Sequence, residues 1–122
     1  MRFLPKMKIS FDIDGTYTEY PRIFDSLAFM LQMAGHEVGI LSGRKDNEAD
    51  EDHETVDFGF EPDFEYYLDT DPDDDPASRS MEKSTKIQEE DIDMHYDDEA
   101  EYFPNYVTIL KINPDSNESE AI

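Results

Sequence analysis

The sequence predicts an α/β domain in which a mainly parallel, five-stranded sheet lies between two layers of helix. Three observations lead there. Short apolar runs alternate along the chain with stretches of helical periodicity. The first strand–helix–strand unit has tight connections, and such a unit implies parallel strands. A length of 122 residues without cysteine suits one domain held by an apolar core, not by disulfides or thiolate metal sites.

In chain order, "MKISFDI" (7–13) alternates and then turns apolar, as a buried strand does. Gly15 and Pro21 bracket a short loop. "RIFDSLAFMLQMAG" (22–35) has helical spacing, with Ile23, Leu27, Met30, Leu31 and Ala34 on one face and Gly35 as the stop. Phe29 and Met33 fall on the opposite, polar side, where they mark either contact with a neighbouring loop or a homodimer patch. "EVGILS" (37–42) is a second buried strand. Residues 46–58 read as an acidic helix with Val56 and Phe58 inward. "FEYYLD" (64–69) is the third strand, 70–80 a loop, "MEKSTKIQEED" (81–91) a helix, "IDMHY" (92–96) the fourth strand and "YVTILKI" (106–112) the fifth. The folded domain is therefore expected over 1–113, with 114–122 a flexible acidic tail.

The formal charge of −22 is unevenly spread. Residues 1–45 hold five acids and six bases, whereas 46–122 hold 27 acids and four bases. Such a surface repels nucleic acid and anionic membrane. A halophilic origin would explain it, as would an acidic mimic of nucleic acid, though most of these acids are expected simply to be solvated. The start lacks a signal-peptide run and no 18-residue apolar stretch occurs, so a cytoplasmic protein is expected.

Three polar clusters are placed at the carboxyl ends of strands, the edge where open parallel sheets bind ligands. Asp12 and Asp14 end the first strand, Ser42 the second, Asp97 and Asp98 the fourth. Two carboxylates two residues apart repel each other unless a cation lies between them. A carboxylate nucleophile beside a proton-shuttling carboxyl is a workable phosphoryl-transfer pair. Asp97 or Asp98 adds an oxygen ligand, and a hard ion such as Mg²⁺ would quench the repulsion. "LSGR" offers the Ser42 hydroxyl and a relaxed backbone at Gly43 to hold phosphate oxygens. The hydroxyl of Thr16 closes "DIDGT" and is assigned to phosphate as well. A cation must neutralise the phosphoryl group, and Lys83 and Lys86 are the candidates. Arg44 is expected to pair with a surface acid, and Ser42 can equally cap a helix. His36, His53 and His95 do not cluster by spacing, and His95 is expected to be packed in its strand. An EF-hand starting at Asp12 is excluded, because Tyr17 and Ile23 stand where the loop needs glycine and an acid.

"DIDGT", "LSGR", a helix-borne lysine and "YDD", in this order, resemble the haloacid dehalogenase-like (HAD) phosphatase superfamily. The resemblance covers roughly residues 7–112. It implies a Rossmann-like domain and a Mg²⁺-dependent phosphomonoester hydrolase. Asp12 would form an aspartyl-phosphate. Asp14 would act as general acid/base and lend its backbone carbonyl to the metal. Ser42 would bind phosphate, Lys83 fits the family spacing better than Lys86, and Asp97 would hold Mg²⁺ with Asp98 as helper or substitute. Larger members carry cap domains. Here the two insertion points hold only "YTEYPR" and "TDPDDDPASRS", so no cap domain is expected and the site is open. A small phosphorylated substrate or a phosphoprotein is the expected partner. The alternatives are a non-catalytic acidic binding protein or a phosphate-sensing module on the same frame.

Overall fold

The computed structural model describes residues 5–69, 75–99 and 108–111, the last stretch by its backbone. The expected tail at 114–122, the ends of the fifth strand and residues 70–74 of the expected loop lie outside the described residues. The chain is an α/β unit: β1 (Lys8–Phe11), a kinked turn (Ile13–Tyr17), α1 (Pro21–Met33), β2 (Glu37–Ser42), β3 (Glu65–Tyr67), α2 (Pro76–Glu89), β4 (Met94–Asp97) and β5 (Thr108–Lys111). The strands lie in the order β3-β2-β1-β4-β5. Every neighbouring pair is parallel, with Phe11 beside both Ile40 and Tyr96. Four strands carry described side chains, and the backbone of β5 continues the sheet beside β4.

The core forms two clusters because strand side chains alternate between faces. Ile9, Phe11, Val38 and Ile40 pack with Phe24 and Ala28 of α1. Leu41 packs instead with Ile87 of α2, Leu68 and Ile92. Consecutive Ile40 and Leu41 point to opposite sides of β2, so each helix covers a different face of the sheet.

Four expectations about elements need correction. Strand β1 ends at Phe11, not at residue 13. Helix α1 buries Phe24 and Ala28, with Leu27 and Leu31 partly buried beside them, while Ile23 and Met30 are 63 % and 62 % exposed. The buried stripe is rotated by about one residue because Phe24 packs on Phe11, ring centroids 4.7 Å apart, and on Tyr96, and an aromatic ring has the most surface to bury. Phe29 and Met33 are exposed. Residues 46–58 form no helix. Asp46 accepts from the Glu48 N–H, and Asp50 from the N–H groups of Asp52 and His53, so short polar side chains capture the donors a helix would need. Val56 and Phe58 nevertheless pack against the first cluster. Finally, α2 starts at Pro76 within the expected loop, because the Asp75 side chain caps the N–H groups of Ala77 and Ser78.

Among the described residues, no helix is long and apolar enough to cross a membrane.

Candidate functional site

The site is built where β1 and β4 run out at the carboxyl edge of the sheet. Asp12 follows β1, and its N–H donates to the Tyr96 carbonyl of β4 at 3.0 Å. The chain then coils through Ile13–Tyr17, where Gly15 takes φ 81°. A side chain at Gly15 would be strained at that φ and would collide with the Asp98 carboxylate. The glycine of "DIDGT" therefore lets the turn after β1 lie against the end of β4.

Lys83 reaches into this corner from α2. Its ammonium donates to Asp12 Oδ1 at 2.9 Å and to Asp97 Oδ2 at 2.7 Å, and all three groups are buried. Lys86, by contrast, lies over the Tyr66 ring at 5.6 Å. Of the two lysine candidates, only Lys83 stands in the carboxylate corner. Asp97 is also met by His95 Nε2 at 2.8 Å, while His95 Nδ1 lies 2.7 Å from Ser10 Oγ. With Asp97 ionised, the Nε2–H donates to it, while the Nδ1 side of the ring meets Ser10. His95 is fully buried, as its strand position predicted, and burial lowers its pKa despite Asp97.

Two carboxylates share one ammonium here, and they do not share it equally. Burial would raise the Asp97 carboxyl, but Lys83 and His95 hold it well below the usual carboxylate range. Asp12 is pushed up to about 8, by burial first and then by Asp97 and Asp98, against the pull of Lys83. Lys83 and His95 thus favour the ionised form of Asp97, while burial and the neighbouring acids push Asp12 toward its protonated form. Asp98 is raised as well, by burial and by Asp97. Carboxylate oxygens of Asp12, Asp97 and Asp98 all lie within 4.8 Å of one another. Fully ionised, they carry three negative charges against the one on Lys83. The remaining charge and the all-oxygen donor set fit a hard divalent cation.

Asp14 takes a different partner. Arg44 donates to both of its oxygens, from Nε at 2.8 Å and Nη2 at 2.7 Å. Burial would raise the Asp14 carboxyl, but the guanidinium outweighs it and keeps Asp14 ionised. The repulsion expected between Asp12 and Asp14 is therefore relieved by giving each its own cation. The groups that crowd Asp12 are Asp97 and Asp98. Arg44 does pair with an acid, but the acid belongs to the site.

Asp12, Asp14, Gly43, Lys83 and Asp98 line one open cleft of about 390 Å³, together with Gly15, Arg44, His53, Arg79 and Glu99. Asp97 lies behind it, beside a small pocket of about 30 Å³. Ser42 and Thr16 are fully buried and line neither space. Ser42 Oγ accepts the Arg44 N–H at 3.1 Å, shaping the turn after β2, and no helix follows for it to cap. Thr16 Oγ1 is buried without a hydrogen-bond partner.

Three cleft residues lie outside the expected motifs: His53, Arg79 and Glu99. His53 Nε2 stands 3.9 Å from Asp14, brought there by the 46–58 loop, and nothing in its spacing announced that. Arg79 had a legible signal: it precedes Lys83 by four residues, one turn up the same helix face.

Compared with known proteins, the chain matches no family model, no curated protein and no solved structure.

Proposed function

We propose that the chain is a HAD-like, Mg²⁺-dependent phosphomonoester hydrolase on a capless, Rossmann-like frame. The observation that carries the proposal is the buried corner in which Lys83 bridges Asp12 and Asp97 while Asp98 completes a cluster of three carboxylates. The spacing alone left Lys83 or Lys86, and Asp97 or Asp98, as alternatives. The corner favours Lys83 and uses both aspartates. Asp12, Asp97 and Asp98 would hold Mg²⁺, which supplies positive charge to the phosphoryl oxygens and keeps Asp12 ionised. The Asp14 carboxylate is engaged with Arg44, so a metal contact from Asp14 would come from its backbone carbonyl.

In the proposed reaction an Asp12 oxygen attacks phosphorus in line with the leaving oxygen. The O–P bond of the ester breaks as the bond to Asp12 forms, giving an aspartyl-phosphate. Lys83 balances the charge on Asp12 and on the phosphoryl oxygens. Asp14 carries the proton, first to the leaving alcohol and then from the water that cleaves the acyl-phosphate. Its resting, ionised state suits the second of these steps. The first requires that Asp14 be protonated, so Arg44 must loosen its hold as substrate enters. The open cleft and the acidic surroundings favour a small ester over a polyanion.

The test is phosphate release from a panel of phosphorylated metabolites and a phosphopeptide, with Mg²⁺ or with chelator. Turnover should require Mg²⁺ and fall to background in Asp12→Asn, because an amide cannot form the aspartyl-phosphate. Full activity in that variant, or no release from any ester, would end the proposal.

A further inference from the structure

Arg79 stands apart from the other cations of the cleft. Lys83 and Arg44 are each held by carboxylates. Arg79 has no carboxylate within 4.0 Å among the described residues, in a chain with 32 acids. It is partly buried, and its Nε is shielded without a hydrogen-bond partner. Among the described residues, the one polar contact of its side chain is from Nη2 to the Gly43 carbonyl at 3.3 Å. A partly shielded guanidinium with no carboxylate beside it among the described residues is costly to maintain. Yet the chain makes room for it: a Cβ at Gly43 would come within 2.6 Å of Nη2. The glycine of "LSGR" thus leaves space for the Arg79 head at the cleft.

The placement is also directional. Arg79 and Lys83 are four residues apart on α2, so their Cα atoms are separated by about 6 Å along the helix. Lys83 marks the proposed phosphoryl position, and Arg79 faces the same cleft one turn away. A guanidinium offers a planar fork that matches an anionic group with two oxygens. Glu99 and the acidic surroundings would oppose a second, doubly charged phosphate more strongly than a singly charged carboxylate.

We infer that Arg79 forms a second anion position beside the phosphoryl site, and that the substrate is a small phosphomonoester bearing a carboxylate. The inference rests on the hydrolase proposal for the identity of the first group, but the anion position can be tested without turnover.

Two esters of one size serve as probes: 3-phosphoglycerate, which carries the carboxylate, and glycerol 3-phosphate, which carries a hydroxymethyl group in its place. With Mg²⁺, the full chain should show a kcat/KM at least tenfold higher for 3-phosphoglycerate. Arg79→Gln should bring the ratio of the two close to one, and Arg79→Lys should give a value in between. Gly43→Ala should lower the ratio as well, by pushing the guanidinium aside. An unchanged ratio in Arg79→Gln, or no preference in the native chain, would overturn the inference. Equal losses on both esters would place Arg79 on the phosphoryl group and overturn it too. If neither ester is turned over, the hydrolase proposal fails for these esters, and calorimetric titration of both into native chain and Arg79→Gln decides the anion position. Tighter binding of 3-phosphoglycerate that disappears in the variant supports it, and equal binding by both proteins refutes it.

Discussion

Asp12 is the residue at which structure and chemistry pull hardest against each other. Its folded-state pKa, about 8, lies far above the unfolded value near 3.9. Between those two values the folded chain binds a proton that the unfolded chain does not. Its contribution to stability is therefore complete below about pH 4 and is lost as pH rises toward 8. In chelator, the melting temperature of the native chain should fall between pH 5 and pH 8 relative to Asp12→Asn, which has no such proton. A parallel pH dependence of the two proteins would mean that Asp12 is ionised in the metal-free state. The same proton should leave when metal binds, so Mg²⁺ titrated at pH 7 should release protons, seen as a binding heat that varies with the ionisation enthalpy of the buffer. For the two lysines, Lys83→Ala should lower turnover by roughly 10²-fold or more, as a lost charge-stabilising group does, while Lys86→Ala, removing a cation that rests on Tyr66, should have little effect. Lys83→Ala should also cost about 3–5 kcal/mol without metal, because it leaves Asp12 and Asp97 buried with no ammonium. The reverse ranking of the two variants would remove Lys83 from the mechanism.

At the scale of elements, the entry of α2 decides where Lys83 and Arg79 stand. Asp75 accepts from Ala77 N at 2.7 Å and from Ser78 N at 3.1 Å, and Pro76 occupies the first helical position. An aspartate followed by proline is a legible helix start, and reading it would have moved the helix boundary from residue 81 to 76. Asp75→Ala should lower the melting temperature by a few degrees, with Asp75→Asn, another good cap, recovering most of the loss. If alanine is tolerated without change, the cap does not set this end of the helix. The 46–58 loop is the opposite case. Its acidic composition suits a solvated helix as well as a coil. Only the reciprocal bonds of Asn47 with the backbone of Val56, together with the turn at Asp50, show how the segment folds back over the cleft.

Across the whole molecule, the net charge of −22 acts against the compact state. The cleft gathers Arg44, Arg79 and Lys83, leaving few cations to offset the acids elsewhere. Added salt should screen the repulsion, so the melting midpoint should rise between low salt and molar KCl. A flat or falling midpoint would show that self-repulsion is a minor term.

By itself the sequence determined the α/β class, the parallel pairing of the first two strands, and the edge of the sheet at which Asp12, Ser42 and Asp97 gather. These follow from local periodicity and from the rule that strand ends on one edge converge, and neither needs to know what lies opposite. The tertiary structure alone decided which face of α1 is buried, that Asp14 belongs to Arg44 while Asp12 belongs to Lys83, and that Ser42 and Thr16 lie buried behind the cleft. Those outcomes depend on which groups compete for the same space and charge. For α1, two stripes offered apolar faces, and contact with the Phe11 and Tyr96 rings selected the one that holds Phe24. For the aspartates, spacing set them two residues apart, but each was assigned its cation by residues 30 and 71 positions away in the chain.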